Sequence, residues 1–290
     1  MAITLGGGGS ASQINEVIFL NNDADTVTLA DGRVYLKGGV LETNLATYPN
    51  AFSGYKHVGG FSVAGQMTVP TDMTWDGTHF WVVENVSDVV YKYTSAGVYT
   101  GTSFSVAAQE IFPSAITWDG TSFWVVGSDA DTVFKYNAAG VYQSVSFSVA
   151  AETSVPSAIV WDGTYFWVVG SDTDAVYKYD SSGVYQSVSF SVASQTTVAA
   201  GGITWDGTHF WVLASNTRTA YKYTSAGVYT GTSFSVAGQE ASPQGITWDG
   251  TSLWVVGLVT DAAYNYRIVN GVASDTSLTA SGAQNYVRVV

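Results

Sequence analysis

The chain of 290 residues contains no cysteine, and its 10 lysines and arginines face 23 acidic residues, for a formal net charge of −13. Without cysteine, disulfides and thiolate metal centres are excluded. So acidic a chain is a poor partner for duplex nucleic acid or an anionic membrane surface, both of which reward Lys and Arg. Charged residues are only 11% of the total and there are just five prolines. No apolar run approaches the roughly 18 residues that a membrane-crossing helix needs. The start, MAITLGGGGSASQ, lacks a basic region and an apolar core, so no secretory leader is expected. Helical periodicity is missing too: no window of about eleven residues carries an i, i+3, i+4, i+7 apolar stripe free of glycine.

What is abundant is glycine, with 31 residues, and aromatics, among them 10 tryptophans. Every tryptophan falls in one frame, W-D-G-T-x-(F/L)-W, which starts at Trp75, Trp118, Trp161, Trp205 and Trp248. The spacing is 43 residues, except for 44 between Trp161 and Trp205. A fixed period of about 40–50 residues marks a repeat architecture. Each copy holds four short runs rich in β-branched and aromatic residues, as in Ser114 to Trp118, Phe123 to Val126, Thr132 to Tyr136 and Ser144 to Val149. Turn formers separate them: Asp119-Gly120, Gly127 to Ala130 and Asn137 to Gly140. Four antiparallel strands per copy make a propeller blade, so the fold class is all-β, a β-propeller.

Six blades are expected, five clear and one degenerate, with five blades plus a small N-terminal β unit as the alternative. In the six-bladed reading, residues 1–26 form a Gly-rich attachment arm and residues 27–290 the propeller. The degenerate blade spans 27–66, with Asp31-Gly32 as its worn turn and the FSVA of Phe61 to Ala64 as its last strand. Residues 67–280 hold the clear repeats, with Leu278 in the fourth strand of the fifth. Residues 281–290, ending in YVRVV, close the ring and leave no open sheet edge. The ten tryptophans, Trp75, Trp81, Trp118, Trp124, Trp161, Trp167, Trp205, Trp211, Trp248 and Trp254, are read as core between blades. Only those that prove exposed would be free to stack on a sugar.

Motifs that carry chemistry are scarce. His79 and His209 occupy a turn position that is Ser122, Tyr165 and Ser252 in other copies, and nothing matches a metalloprotease, nucleophile-elbow or P-loop pattern. The five W-D-G aspartates, Asp76, Asp119, Asp162, Asp206 and Asp249, are read as hairpin residues rather than ligands. No metal and no cofactor is expected. The loops between second and third strands differ among copies, as do the links between blades, and the two sets should share one face. Loops on a rigid scaffold are where binding usually resides. The candidate binding residues there are Glu84, Asn85, Asp129, Asp131, Asp172, Asp174, Asn216, Arg218 and Asp261. The D-x-D spacing in two loops falls short of a full calcium oxygen set.

W-D-G-T-x-F-W-V-V resembles the repeats of Trp-Asp-Gly-type, NHL-like propellers over about residues 66–280. The stretch Ala30 to Ala51 resembles segments of bacteriophage tail-fibre and other virion proteins. That second resemblance implies a non-enzymatic virion structural protein, extracellular after release, with no catalytic residues. It also implies tail-protein partners at the N-terminal arm, a host glycan or protein at the loops, no membrane insertion, and a homotrimer. A cellular lectin-like or protein-binding scaffold is the alternative, and a propeller lyase or hydrolase the third reading. Fold alone does not decide among them.

Overall fold

The computed structural model of the chain describes residues 16–20, 24–28, 34–37, 40–43, 54–196 and 200–269. It divides into two units: Met1–Lys56 with Ile268–Val290, and His57–Arg267. In the first, Glu16–Leu20 pairs antiparallel with Ala24–Thr28, and Val34–Lys37 with Val40–Thr43. The second unit is the propeller.

Each W-D-G copy begins with the innermost strand of a blade. These inner strands are Pro70–Trp75, Pro113–Trp118, Pro156–Trp161, Ala200–Trp205 and Pro243–Trp248, and define blades I to V. Blade II continues outward through Ser122–Gly127, Thr132–Asn137 and Tyr142–Ser148, all antiparallel. The expected strands of this repeat thus fall within one or two residues of their places. Gly140 shows why its turn is built as it is. Its φ is +77°, and a Cβ would lie 2.2 Å from the Phe104 ring of blade I, so only glycine gives both the turn and the close approach.

Of the two arrangements expected, the described residues form the one with five blades. Blade V runs Pro243–Trp248, Leu253–Gly257, Ala262–Val269, and its fourth strand is Gly54–Ser62. The FSVA motif of Phe61 to Ala64 is therefore a fourth strand, but of blade V and not of a degenerate N-terminal blade. Its register is that of every other blade: the Val63 amide donates to the Asp261 carbonyl at 2.7 Å, as the Val106 amide does to Asp88 at 2.8 Å. The slot expected for Leu278 is thus filled from the N-terminal side. Leu278 itself, the closing strand 281–290, residues 1–15 of the glycine-rich arm and the Asp31-Gly32 turn lie outside the described residues, and Glu16–Leu20 of that arm pairs with Ala24–Thr28.

The blades are joined by rings that interleave across each junction. Phe123 sits 4.5 Å from Trp118 of its own blade and 4.6 Å from Trp81 of the preceding one, centroid to centroid. Phe80 repeats this at the junction that closes the ring, between Trp75 at 4.6 Å and Trp254 of blade V at 4.7 Å. The second tryptophan of every copy, Trp81, Trp124, Trp167, Trp211 and Trp254, is buried at these junctions. Burying 150–250 Å² of indole at about 25 cal/mol per Å² stabilises the fold by up to roughly 4–6 kcal/mol each, an upper bound.

Candidate functional site

The expected working face gathers the second-to-third-strand loops and the inter-blade links, because antiparallel strands place both sets at one end of each blade. Several side chains there are committed to the loops and links themselves, while Asp88, Asp131 and Asp261 each keep a buried Oδ1 without a partner. Glu84 is buried, and its Oε2 accepts bonds from the Ser87 amide and hydroxyl, both at 2.6 Å. The neighbouring Asn85 amide donates to the Val69 carbonyl. Asp172 accepts from the Thr153 hydroxyl and from the Ser154 amide and hydroxyl. Burial pushes the Asp172 carboxyl up, but these bonds outweigh it and hold it below the usual range. Asn216 Oδ1 accepts from the Thr217 amide at 2.8 Å.

Asp131, Asp174, Arg218 and Asp261 share one repeat position with Asp88. All five have φ between +45° and +54°, and each carbonyl takes the amide that ends a fourth strand. Aspartate tolerates this left-handed backbone, and the arginine shows that the position works through its main chain. Asp131 is pushed above the usual carboxylate range by burial and by the charges of Asp172 and Asp129. Asp129 is exposed. Among the described residues no group of three or more His, Asp or Glu side chains is placed to hold a metal.

The opposite face carries the W-D-G turns. In blade II, Asp119 Oδ1 accepts the amides of Thr121 and Ser122, both at 2.7 Å, and Oδ2 accepts the Trp124 indole N–H at 2.6 Å. The indole bond recurs at Asp76, Asp162, Asp206 and Asp249. Lysines of the third strand lie over these same indoles, with Lys92 Nζ and Lys135 Nζ each 5.0 Å from a ring centroid. His79 and His209 hold a threonine hydroxyl of the same turn through Nδ1.

Register decides what faces the channel between the blades. The Asp119 amide bonds to the Ser122 carbonyl, so residues 119, 117 and 115 point their main-chain groups at the second strand. Ile116 and Trp118 therefore point theirs at the channel, and the same holds in all five blades. Two of these channel amides are capped by threonines of the preceding blade, Trp161 by Thr117 at 3.2 Å and Trp248 by Thr204 at 3.1 Å. A third, Ile116, donates to Asp72 Oδ2 at 3.0 Å.

The channel opens into a small cavity of about 90 Å³. Its wall is three stacked rings: Met73, Ile116, Ile159, Ile203 and Ile246; then Thr74, Thr117, Val160, Thr204 and Thr247; then Trp75, Trp118, Trp161, Trp205 and Trp248. The ten tryptophans form two sets. Trp81, Trp124, Trp167, Trp211 and Trp254 are buried between blades, whereas the first tryptophan of each copy is partly buried and lines the cavity, Trp75, Trp118, Trp161 and Trp205 being also packed against the inter-blade clusters. Sequence reasoning passed over Asp72. It is 2% exposed, its Oδ1 has no hydrogen-bond partner, and burial pushes its carboxyl well above the usual range despite amide bonds at Ile116 and Met73. A signal does exist in the repeats: the same position is Ala115, Ala158, Gly202 and Gly245 elsewhere.

No protein-family profile and no curated protein matches the chain. Among solved structures, it is similar to a glutaminyl cyclase from Myxococcus xanthus, with a TM-score of 0.58 and 10% identity over 74% of this chain and 97% of that one. A virginiamycin B lyase from Staphylococcus aureus follows, with a TM-score of 0.46 and 16% identity over 88% of each chain. The β-propeller domain of Myceliophteria thermophila Cps50 (Swd1) scores 0.45 at 9% identity, over 74% of this chain and all of that one. These findings correct two expectations. A non-enzymatic virion protein is not supported, since the glutaminyl cyclase with this fold is an enzyme and none of these structures is a tail fibre. The exclusion of an enzyme falls with it. At 10% identity the likeness shows the fold and nothing finer.

Proposed function

We propose that this propeller acts on a small molecule held in the central channel, within the ring of Trp75, Trp118, Trp161, Trp205 and Trp248. The observation that carries the reading is that ring. Five partly buried indoles stand around one concave space lined otherwise by Thr, Ile, Val and Met. Small-ligand sites are concave and place a few polar groups for orientation, and the surface this cavity exposes is chiefly polar. On the loop face Glu84, Asp172 and Asn216 are already hydrogen-bonded within the loops and links, while Asp88, Asp131 and Asp261 each keep a buried Oδ1 without a partner.

Turnover of the bound molecule is favoured by one observation, the Asp72 carboxyl. It is buried next to Met73 of the cavity wall, its Oδ2 accepts the Ile116 amide, and burial raises its affinity for a proton. The fold-level likeness to glutaminyl cyclase, an enzyme, agrees with this. The test is a small-molecule screen on the whole chain by calorimetry, with mass spectrometry of each hit after incubation. Trp161→Leu should weaken every hit by about tenfold, while Asp129→Ala should leave them unchanged. Hits that respond to Asp129→Ala and ignore Trp161→Leu would refute the channel reading.

A further inference from the structure

The loop end of the propeller, where each inner strand begins, carries a second surface that is separate from the tryptophan ring. We propose that Ile111 and Phe112, with Val155 and the carboxylates of Asp129 and Asp172, dock a cationic segment of a partner protein. That segment would carry an apolar side chain among its basic ones. Ile111 is 48% exposed, Phe112 52% and Val155 41%. Among the described residues of the five blades, Phe112 is the only exposed phenylalanine. The fold does not call for it. Other links have Thr68-Val69, Ser154-Val155 and Ala241-Ser242 at this place. The position works through its main chain: the Phe112 carbonyl takes the Ser128 amide at 3.3 Å, as the Val155 carbonyl takes that of Ser171 at 3.0 Å.

The exposed pair is held in place from beneath. Glu110 is buried; its Oε1 accepts the Phe112 amide at 2.9 Å and its Oε2 the Ala130 amide at 3.3 Å. One carboxylate thus ties the link between blades I and II to the second-to-third-strand loop of blade II. It sets Phe112 beside Ser128, Asp129 and Ala130, all exposed. Gly127 makes the room, since a Cβ there would strike the Glu110 side chain. An anchor already fixed in position loses little freedom when a partner closes on it.

Charge selects the partner. Blades II and III alone place an aspartate at the middle of this loop, Asp129 and Asp172, where the other copies have Val86, Asn216 and Val259. Both are exposed, and the charges of both are felt at Asp131. Arg218 is the only basic residue in the second-to-third-strand loops, and the links between blades have none. Lys92, Lys135, Lys178 and Lys222 lie over indoles at the opposite end. Negative potential around an apolar anchor steers lysine and arginine toward it, while the aromatic anchor supplies the tight part of the contact.

The test is calorimetric titration of the whole chain with short acetylated peptides. One alternates lysine with leucine, a second has serine in place of leucine, and a third has glutamate in place of lysine. The first should bind at least about tenfold more tightly than the other two, and lose affinity as salt is raised. Phe112→Ser keeps the main-chain bonds and should weaken that peptide by about tenfold. Asp129→Asn should weaken it by about two- to threefold and reduce its salt dependence. Val98→Ser, at an exposed valine in the third-to-fourth-strand turn of blade I, should change nothing. The ring indoles should stay unmoved throughout, so the channel reading is tested apart from this one. Equal affinity for the peptides, or a Phe112→Ser variant that binds as the wild type does, would overturn the inference. A dimer of the chain that Phe112→Ser dissolves, with no preference among the peptides, would give the surface to a second copy and overturn it as well.

Discussion

The Trp124 indole N–H donates to Asp119 Oδ2 at 2.6 Å, and the two residues stand at opposite ends of one W-D-G-T-S-F-W repeat. The aspartate closes the turn with its other oxygen, so a single side chain fixes both the hairpin and the rotamer of a core indole. Asp119→Ala leaves a buried indole donor and two turn amides without acceptors. An orphaned buried donor costs about 1–3 kcal/mol, so the variant should lose at least that in urea unfolding. A loss below about 0.5 kcal/mol would place the turn's stability elsewhere.

Acid should act on these turns in a defined direction. At Asp76, Asp119 and Asp206, burial raises the carboxyl's pKa, and hydrogen bonds from the tryptophan, the turn threonine and turn amides more than reverse it. A folded value below the unfolded one, about 3.9, gives stability that is full above that value and lost as pH falls through the folded value. Asp72 has the opposite sign. Its folded value is raised by burial, so the folded state binds the extra proton, and stability falls as pH rises from about 4 through the folded value. Thermal melts should therefore improve on mild acidification and collapse below about pH 4. Asp72→Asn should remove the first trend and keep the second.

The repeat was legible because spacing, turn residues and strand alternation all pointed to one four-stranded unit. Blade number was harder, since Phe61 to Ala64 carries a fourth-strand motif but not the identity of the blade it joins. Hydrogen bonding to Asp261, 198 residues along from Val63, settles that and no local pattern encodes it. Trp75 and Trp81 occur in one frame and read alike, yet one ends an inner strand at the channel and the other sits mid-strand at a junction. Only the ring assembly separates them. Asp72 was visible as an odd residue at its repeat position, but its meaning required knowing that the adjacent amide faces the channel.

Closure by Gly54–Ser62 is testable at Phe61, which lies 5.6 Å from Phe80, 5.5 Å from Tyr93 and 5.6 Å from Trp254. Phe61→Ala should cost about 3 kcal/mol, because it empties a junction between blades V and I. A cost under about 1 kcal/mol would mean that another segment closes the ring.

The glycines of the third-to-fourth-strand turns should be less tolerant than those of the W-D-G turns. Gly120 has φ +96° and open space within 4 Å of where a Cβ would stand, whereas a Cβ on Gly140 would meet the Phe104 ring at 2.2 Å. Gly120→Ala should cost about 1–2 kcal/mol from backbone strain. Gly140→Ala should cost at least about 1 kcal/mol more, the overpacking part, as read from paired denaturant curves. Equal costs would show that the aromatic junction yields freely.

The most direct test of the channel as the working site is the indole region of a nitrogen–proton correlation spectrum, recorded while a bound small molecule is titrated in. Ten indole N–H signals divide into five that are tied to aspartates, from Trp81, Trp124, Trp167, Trp211 and Trp254, and five from the cavity ring. The largest shifts should fall on Trp75, Trp118, Trp161, Trp205 and Trp248. Shifts confined to amides of the opposite loops, around Asp129 and Asp172, with the ring indoles unmoved, would contradict the account.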